Sequence, residues 1–183
     1  IGRNALYINS TGANNVAIGA YASPVFDNLS NTTSLGYNAM PTASNQVRIG
    51  NNTVTSIGGY QNWSNVSDAR FKKNVEEKVV GLEFIKALRP VTYNLDMDAI
   101  ARFNKSPDSL RNKKSEQEKE NILQSGFIAQ EVEASAKKLG YSFSGVDAPK
   151  NENDNYGLRY AEFVVPLVKA MQEQQVMIEE LKK

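Results

Sequence analysis

The sequence contains neither cysteine nor histidine. The first absence excludes disulfides and thiol nucleophiles. The second removes imidazole as a metal ligand or a base, and with it any Ser-His-Asp triad. Hydrolytic chemistry in this chain therefore needs a different base. No metal site and no cofactor follow from the residues present. Long apolar runs are also missing: none approaches the ~20 residues a membrane helix needs, so membrane insertion is not expected. Charge of one sign is lacking too. The 21 basic and 20 acidic residues leave +1, far from the field a phosphate backbone requires, so no nucleic-acid partner is expected. Without an initiator methionine or a signal-like start, and with Ile1 falling inside a repeat, the chain reads as a processed or truncated piece of something longer.

Charge is scarcest at the start. Residues 1–66 hold only Arg3, Asp27 and Arg48, and every other charged side chain lies in 67–183. Asn, Gly, Ser and Thr crowd the first segment around isolated aliphatics. Such a composition can mean disorder, but the aliphatics recur at fixed offsets. Asn-x-x-x-[Ile/Leu]-Gly occurs at Asn14–Gly19, Asn31–Gly36 and Asn45–Gly50, and Ile1-Gly2 and Ile57-Gly58 echo its end. Gly2, Gly19, Gly36 and Gly50 stand 17, 17 and 14 residues apart. A short fixed period predicts stacked short strands, each turn burying an aliphatic that cannot be buried alone. Gly and Asn supply the left-handed corners. At these residues the segment resembles the head repeats of trimeric autotransporter adhesins and the repeats that precede the chaperone domain of fibre proteins. That resemblance, over roughly residues 1–58, implies a β-roll or β-prism in which three chains surround one axis.

Beyond the last repeat the chain reads Asn65-Val66-Ser67-Asp68-Ala69-Arg70-Phe71-Lys72-Lys73. Taken alone, Ser67 or Asp68 is a cap for a turn and the basic residues are a solvated face. The pattern Ser67-Asp68-x-Arg70-x-Lys72 also resembles the signature of the intramolecular chaperone auto-processing family of endosialidase tailspikes and phage tail fibres. Leu82, Leu88-Arg89-Pro90, Tyr93-Asn94, Gly126–Val132 and the stretch Tyr160–Leu181 follow in that family's order. The resemblance implies a scissile bond at Val66–Ser67, with Ser67 as nucleophile and Lys72 as base. A serine hydroxyl needs a proton acceptor, and a lysine serves when neutral. Nearby cations favour the neutral amine, and Arg70 and Lys73 are candidates to supply them. Asp68, Arg70 and Gln130 are the possible supporting residues, although Gln130 and Glu131 also read as residues that cap and solvate a helix.

The remaining pattern predicts a helix over 76–89 from Val79, Leu82, Ile85 and Leu88, stopped by Pro90. A strand follows at Val91–Asn94. A charged insertion of about 96–122 reads as an exposed loop or helix. Gly126–Ala129 reads as a buried strand leading into a helix near 130–139, with a weaker β segment at 141–147. In the terminal helix, about 160–182, Val164, Leu167, Met171, Gln174, Ile178 and Leu181 are spaced 3, 4, 3, 4 and 3, a heptad seam with one polar layer. Such a stripe equally suits a helix packed on its own domain.

These readings combine into an α+β, homotrimeric chain: residues 1–66 a β-repeat fibre segment and 67–183 a chaperone domain ending in a coiled-coil helix. The expected function is trimerisation and folding of a phage tail-fibre or bacterial surface-fibre protein, outside the cell or on a virion, followed by single-turnover autoproteolysis. The expected partners are copies of itself and, through the parent fibre, a host-surface or glycan receptor. The alternative is a non-cleaving trimeric cap or adhesin tip that binds a surface ligand.

Overall fold

A computed structural model describes all 183 residues and has a mixed α+β architecture with several short sheets and a long C-terminal helix. The chain gathers into two compact units. One joins Ile1–Ile57, Tyr93–Gln124 and Pro149–Asn155; the other joins Gly58–Thr92, Ser125–Ala148 and Tyr156–Lys183.

In the first unit, β1 (Val16–Ile18), β2 (Thr33–Leu35) and β3 (Val47–Ile49) form a parallel sheet. Val16 pairs with Thr33 and Thr33 with Val47; Ile18 pairs with Leu35 and Leu35 with Ile49. The 17- and 14-residue steps of the glycines are therefore the register of the sheet. Three-residue strands are held by backbone bonds between successive turns. Gly19 N–H donates to Ile1 O at 2.8 Å, Gly36 N–H to Ile18 O at 2.7 Å and Gly50 N–H to Leu35 O at 2.7 Å. Each strand is entered through a left-handed asparagine, Asn14, Asn31 or Asn45, with φ of 59, 56 and 63°. Asparagine tolerates that region better than most side-chain-bearing residues. Gly19 is required twice over. Its φ is 131°, and a Cβ there would lie 2.5 Å from the backbone carbonyl of Gly36.

The burial within this sheet corrects the expectation that each turn hides its aliphatic. Ile18 is 47% exposed and Ile49 41%, while the buried positions are the small residues Ala17, Ala22, Ser34 and Ala39. Along a strand successive side chains point to opposite faces, so the central Ala17 and Ser34 turn inward when Val16, Ile18 and their equivalents turn outward. The inward face of these strands accommodates only small groups.

The rest of this unit is the charged stretch. Two helices, α2 (Met97–Phe103) and α3 (Lys113–Glu120), start at Asp96 and Asn112, whose side chains accept from Ala99 N–H at 2.6 Å and Ser115 N–H at 3.2 Å. These are ordinary N-caps. Met97 and Ala101 are buried. So is Glu116, 4% exposed, contrary to a solvated reading of the run. Arg111 makes that burial tolerable: it donates to Glu116 at 2.8 and 2.9 Å and to Asp98 at 2.5 Å. A buried carboxylate needs such a partner.

The second unit is built on aromatic rings. It holds α1 (Leu82–Ala87), α4 (Ala129–Lys138), the antiparallel pair β6 (Val146–Asp147) and β7 (Gly157–Leu158), and α5 (Val164–Leu181). A further two-stranded sheet pairs β4 (Val91–Tyr93) with β5 (Gln124–Gly126). Phe84, Val132, Ala136 and Phe163 form the buried core, with Phe127, Tyr141 and Phe143 against it. Ring centroids lie 4.9 Å apart for Phe84–Phe143, 4.8 Å for Phe143–Phe163 and 5.3 Å for Phe127–Phe163.

Three sequence expectations change here. The helix of 76–89 is only Leu82–Ala87, because Gly81 sits at its N-cap with φ −95° and ψ −101°. A Cβ on Gly81 would lie 2.7 Å from Lys169 Cγ, so the chain there passes close under α5. Glu173, from α5, caps the shortened helix by accepting from Leu82 N–H at 2.7 Å. Second, Gly126–Ala129 is not a buried strand: β5 ends at Gly126, Phe127 is half-buried, Ile128 is 38% exposed and the helix starts at Ala129. Third, the terminal helix opens with a 3₁₀ turn, Tyr160–Phe163, before α5 proper. Its inward face is Phe163, Pro166 and Ala170. The seam side chains Val164, Leu167, Met171, Ile178 and Leu181 are all exposed, as is Gln174.

Candidate functional site

A single 3₁₀ turn, Ala69–Phe71, shapes the junction. Asp68 is its N-cap: the carboxylate accepts from Arg70 N–H at 2.9 Å, and Asp68 O accepts from Phe71 N–H at 3.1 Å. Lys72 closes the turn by donating its N–H to Ala69 O at 3.1 Å. One tight turn therefore spans the five-residue interval and returns the Lys72 side chain to Ser67. Lys72 Nζ donates to Ser67 Oγ at 2.9 Å.

Both residues are exposed, and Val66, on the amino side of Ser67, is 82% exposed. In this arrangement the ammonium donates to the hydroxyl. For Lys72 to act as a base it has to lose a proton first, and the usual aids are burial and neighbouring cations. Arg70 does not provide a free one. Its guanidinium grips Asp68 through Nε at 3.1 Å and Nη2 at 2.6 Å. The hydrogen bonds that Arg70 donates to Asp68 hold the carboxyl below its ordinary range and raise the guanidinium further. The two charges therefore pair with each other beside the Ser67–Lys72 hydrogen bond.

Gln130 lies exposed near the start of α4 and takes no part in this hydrogen-bonded group. Its neighbour Glu131 is engaged by Arg89 at 2.5 and 3.0 Å, a pairing that ties α4 to the Leu88-Arg89-Pro90 corner. That contact lowers the Glu131 carboxyl and raises Arg89. The structure thus unites Ser67 with Lys72 and Asp68 with Arg70.

Elsewhere, an open depression of about 570 Å³ is walled by Pro90, Val91, Phe127 and Tyr160, with Thr92 and Ser125 at its polar side. Its walls carry no carboxylate. No group of three acidic side chains gathers where it could hold a metal ion. No helix is long and apolar enough to cross a membrane.

The turn that pairs Ser67 with Lys72 also opens the region recognised by comparison. Residues 67–141 match the family model described as "Chaperone of endosialidase". The match begins on the serine itself, takes in Lys72 and the Arg89–Glu131 pair, and ends after α4. The repeats and α5 lie outside it. No curated protein and no solved structure matches the chain. The family similarity is consistent with a chaperone role in fibre proteins.

Proposed function

We propose that this chain is the C-terminal intramolecular chaperone of a phage tail-fibre or bacterial surface-fibre protein, that it works as a homotrimer outside the cell or on a virion, and that it releases itself at Val66–Ser67. The observation that carries the reading is the family match starting at Ser67, the residue whose hydroxyl stands 2.9 Å from Lys72 Nζ.

The cut follows ordinary acyl chemistry. Neutral Lys72 takes the Ser67 hydroxyl proton and Oγ attacks the Val66 carbonyl carbon, closing a five-membered ring. Collapse breaks the Val66–Ser67 C–N bond as the Ser67 nitrogen takes up a proton, leaving an ester. Water then opens the ester to a Val66 carboxylate and restores the hydroxyl. Each chain reacts once.

Assembly rests on the exposed apolar residues. Leu167, Met171 and Ile178 on α5 are 44, 69 and 46% exposed at heptad positions. Seating them against two other copies removes that surface from water. The outward Ile18 and Ile49 have the same need, which supports a β-roll or prism of three chains in residues 1–66. A trimeric nucleus speeds strand pairing that is otherwise slow and error-prone. Its loss after cutting leaves the fibre kinetically trapped. Receptors or glycans are met through the parent fibre.

Denaturing gels of the full chain, Ser67→Ala and Lys72→Ala test the chemistry. Fragments 1–66 and 67–183 are expected from the unsubstituted chain alone, and a full-length band in all three defeats self-cleavage. The exposure of both Ser67 and Lys72 favours the second reading, a permanent trimeric cap or adhesin tip, which predicts that uncut band.

A further inference from the structure

Residues 55–67, which connect the repeats to the rest of the chain, are exposed throughout. Gly58 has nothing within 4 Å of a Cβ built on it. This stretch contributes connectivity and almost no packing. Other residues beyond the junction nonetheless reach the repeats within the first compact unit, which includes 93–124 and 149–155 as well as 1–57.

These reaching contacts concentrate at one carboxylate. Asp154 is 6% exposed, and its Oδ1 accepts from Thr42 Oγ1 at 2.5 Å, with Arg48 Nη2 at 3.9 Å. The Asp154 carboxylate is completed by the N–H groups of Lys150 and Asn155, each at 3.1 Å. Asn151 donates its side-chain N–H to Thr42 O at 2.9 Å, so Thr42 is held from both its hydroxyl and its backbone. The charged stretch adds two points: Lys119 Nζ donates to Val54 O, and Leu110 O accepts from Tyr37 Oη at 3.3 Å.

We infer that residues 105–120 and 149–155 form a clasp on the last turns of the repeats, keyed by Asp154 on Thr42, and that it keeps 1–66 bound to 67–183 after the chain is cut at the junction. Cutting and release are then separate events. Breaking the bond at Val66–Ser67 removes only the exposed tether, and the repeats leave when Asp154 loses Thr42. The inference relies on the processing reading for its place in the life of the fibre, but its geometry does not depend on Ser67 chemistry.

The test uses the full chain carrying Ser67→Ala, with Gln61–Ser64 replaced by a site for a specific protease. The engineered cut is then the only one, so failure of the clasp is read apart from failure of self-cleavage. After cutting under native conditions, an N-terminal tag should recover the C-terminal piece, which contains 67–183, together with the repeats. Thr42→Val and Asp154→Ala should make the pieces part about 10- to 100-fold faster, the effect of losing a hydrogen bond to a buried charge. Asn151→Ala, which spares the carboxylate, should fall between and serves if Asp154→Ala does not fold. The clasp is overturned if the unsubstituted pieces separate as fast as the Asp154→Ala pieces. It is equally overturned if Thr42→Val and Asn151→Ala hold as long as the unsubstituted chain.

Discussion

The repeats and the aromatic core solve the same problem with opposite materials. In residues 14–50 order comes from the backbone: N–H groups of one turn bonded to carbonyls of the turn before, small side chains inside, glycine and asparagine at the corners. Around Phe84 it comes from side chains: four rings make three contacts with centroids 4.8, 4.9 and 5.2 Å apart, and most secondary elements are short. A backbone-built region depends on whether a Cβ fits, whereas a ring-built one depends on volume. Both leave aliphatics on the outside, Ile18 and Ile49 in the first, Leu167 and Ile178 in the second.

The contrast is open to attack from both sides. Phe84→Ala should have the largest effect, about 3–5 kcal/mol, because a fully buried ring leaves both lost contacts and a cavity. Hydrogen exchange read by mass spectrometry should show 80–90 and 130–143 deprotected while 14–50 stays slow. Simultaneous loss in both regions would erase the distinction. Gly19→Ala is the mirror experiment. A left-handed φ combined with a 2.5 Å clash should cost about 3 kcal/mol, with exchange rising in 14–50 alone. An unchanged melting curve would mean that the turns do not approach as closely as the backbone bonds require.

Glu173→Ala probes a smaller contribution, the cap that α5 supplies to Leu82 N–H. Its loss should cost about 1 kcal/mol in urea unfolding, and Glu173→Gln should recover most of it.

Acid supplies the mildest perturbation. Arg111, then Lys113, hold the Asp98 carboxyl down at about 2, and Arg111 also holds Glu116 below its ordinary value. Carboxylates depressed in the folded state stabilise it fully above their unfolded pKa. That contribution fades as pH falls from about 4 towards 2. Thermal melts of Asp98→Asn should show a flatter acid limb than the unsubstituted chain, by a small margin since Asp98 faces solvent.

Much of this architecture was legible beforehand where one residue type has one use. The glycine spacing gave the strand register because a left-handed corner recurs at the same point in every turn. The pairing of Ser67 with Lys72 was implied by the family resemblance and not by their interval, which a single tight turn spans. Less was legible where burial or a charge partner depends on how the chain packs and not on spacing. The run around 104–120 looks solvated, yet Glu116 is buried because Arg111 turns back on it. The helix expected at 76–89 is cut short by Gly81 for want of room beneath Lys169 and Ala170. Arg70 reads as a candidate cation for Lys72, and in the structure its guanidinium is bonded to Asp68.

What the sequence determined by itself is local: corner conformations, the strand period, the heptad spacing of α5 and the turn carrying Ser67 to Lys72. These depend on backbone sterics and near neighbours, which a linear pattern records. Only the tertiary structure decided which aliphatics stay outside, that the α5 seam is its unpacked face, and that Asp154 closes on Thr42 from 112 residues away. Those outcomes turn on packing volume and on the need of each buried charge for a partner, and neither is written in spacing along the chain.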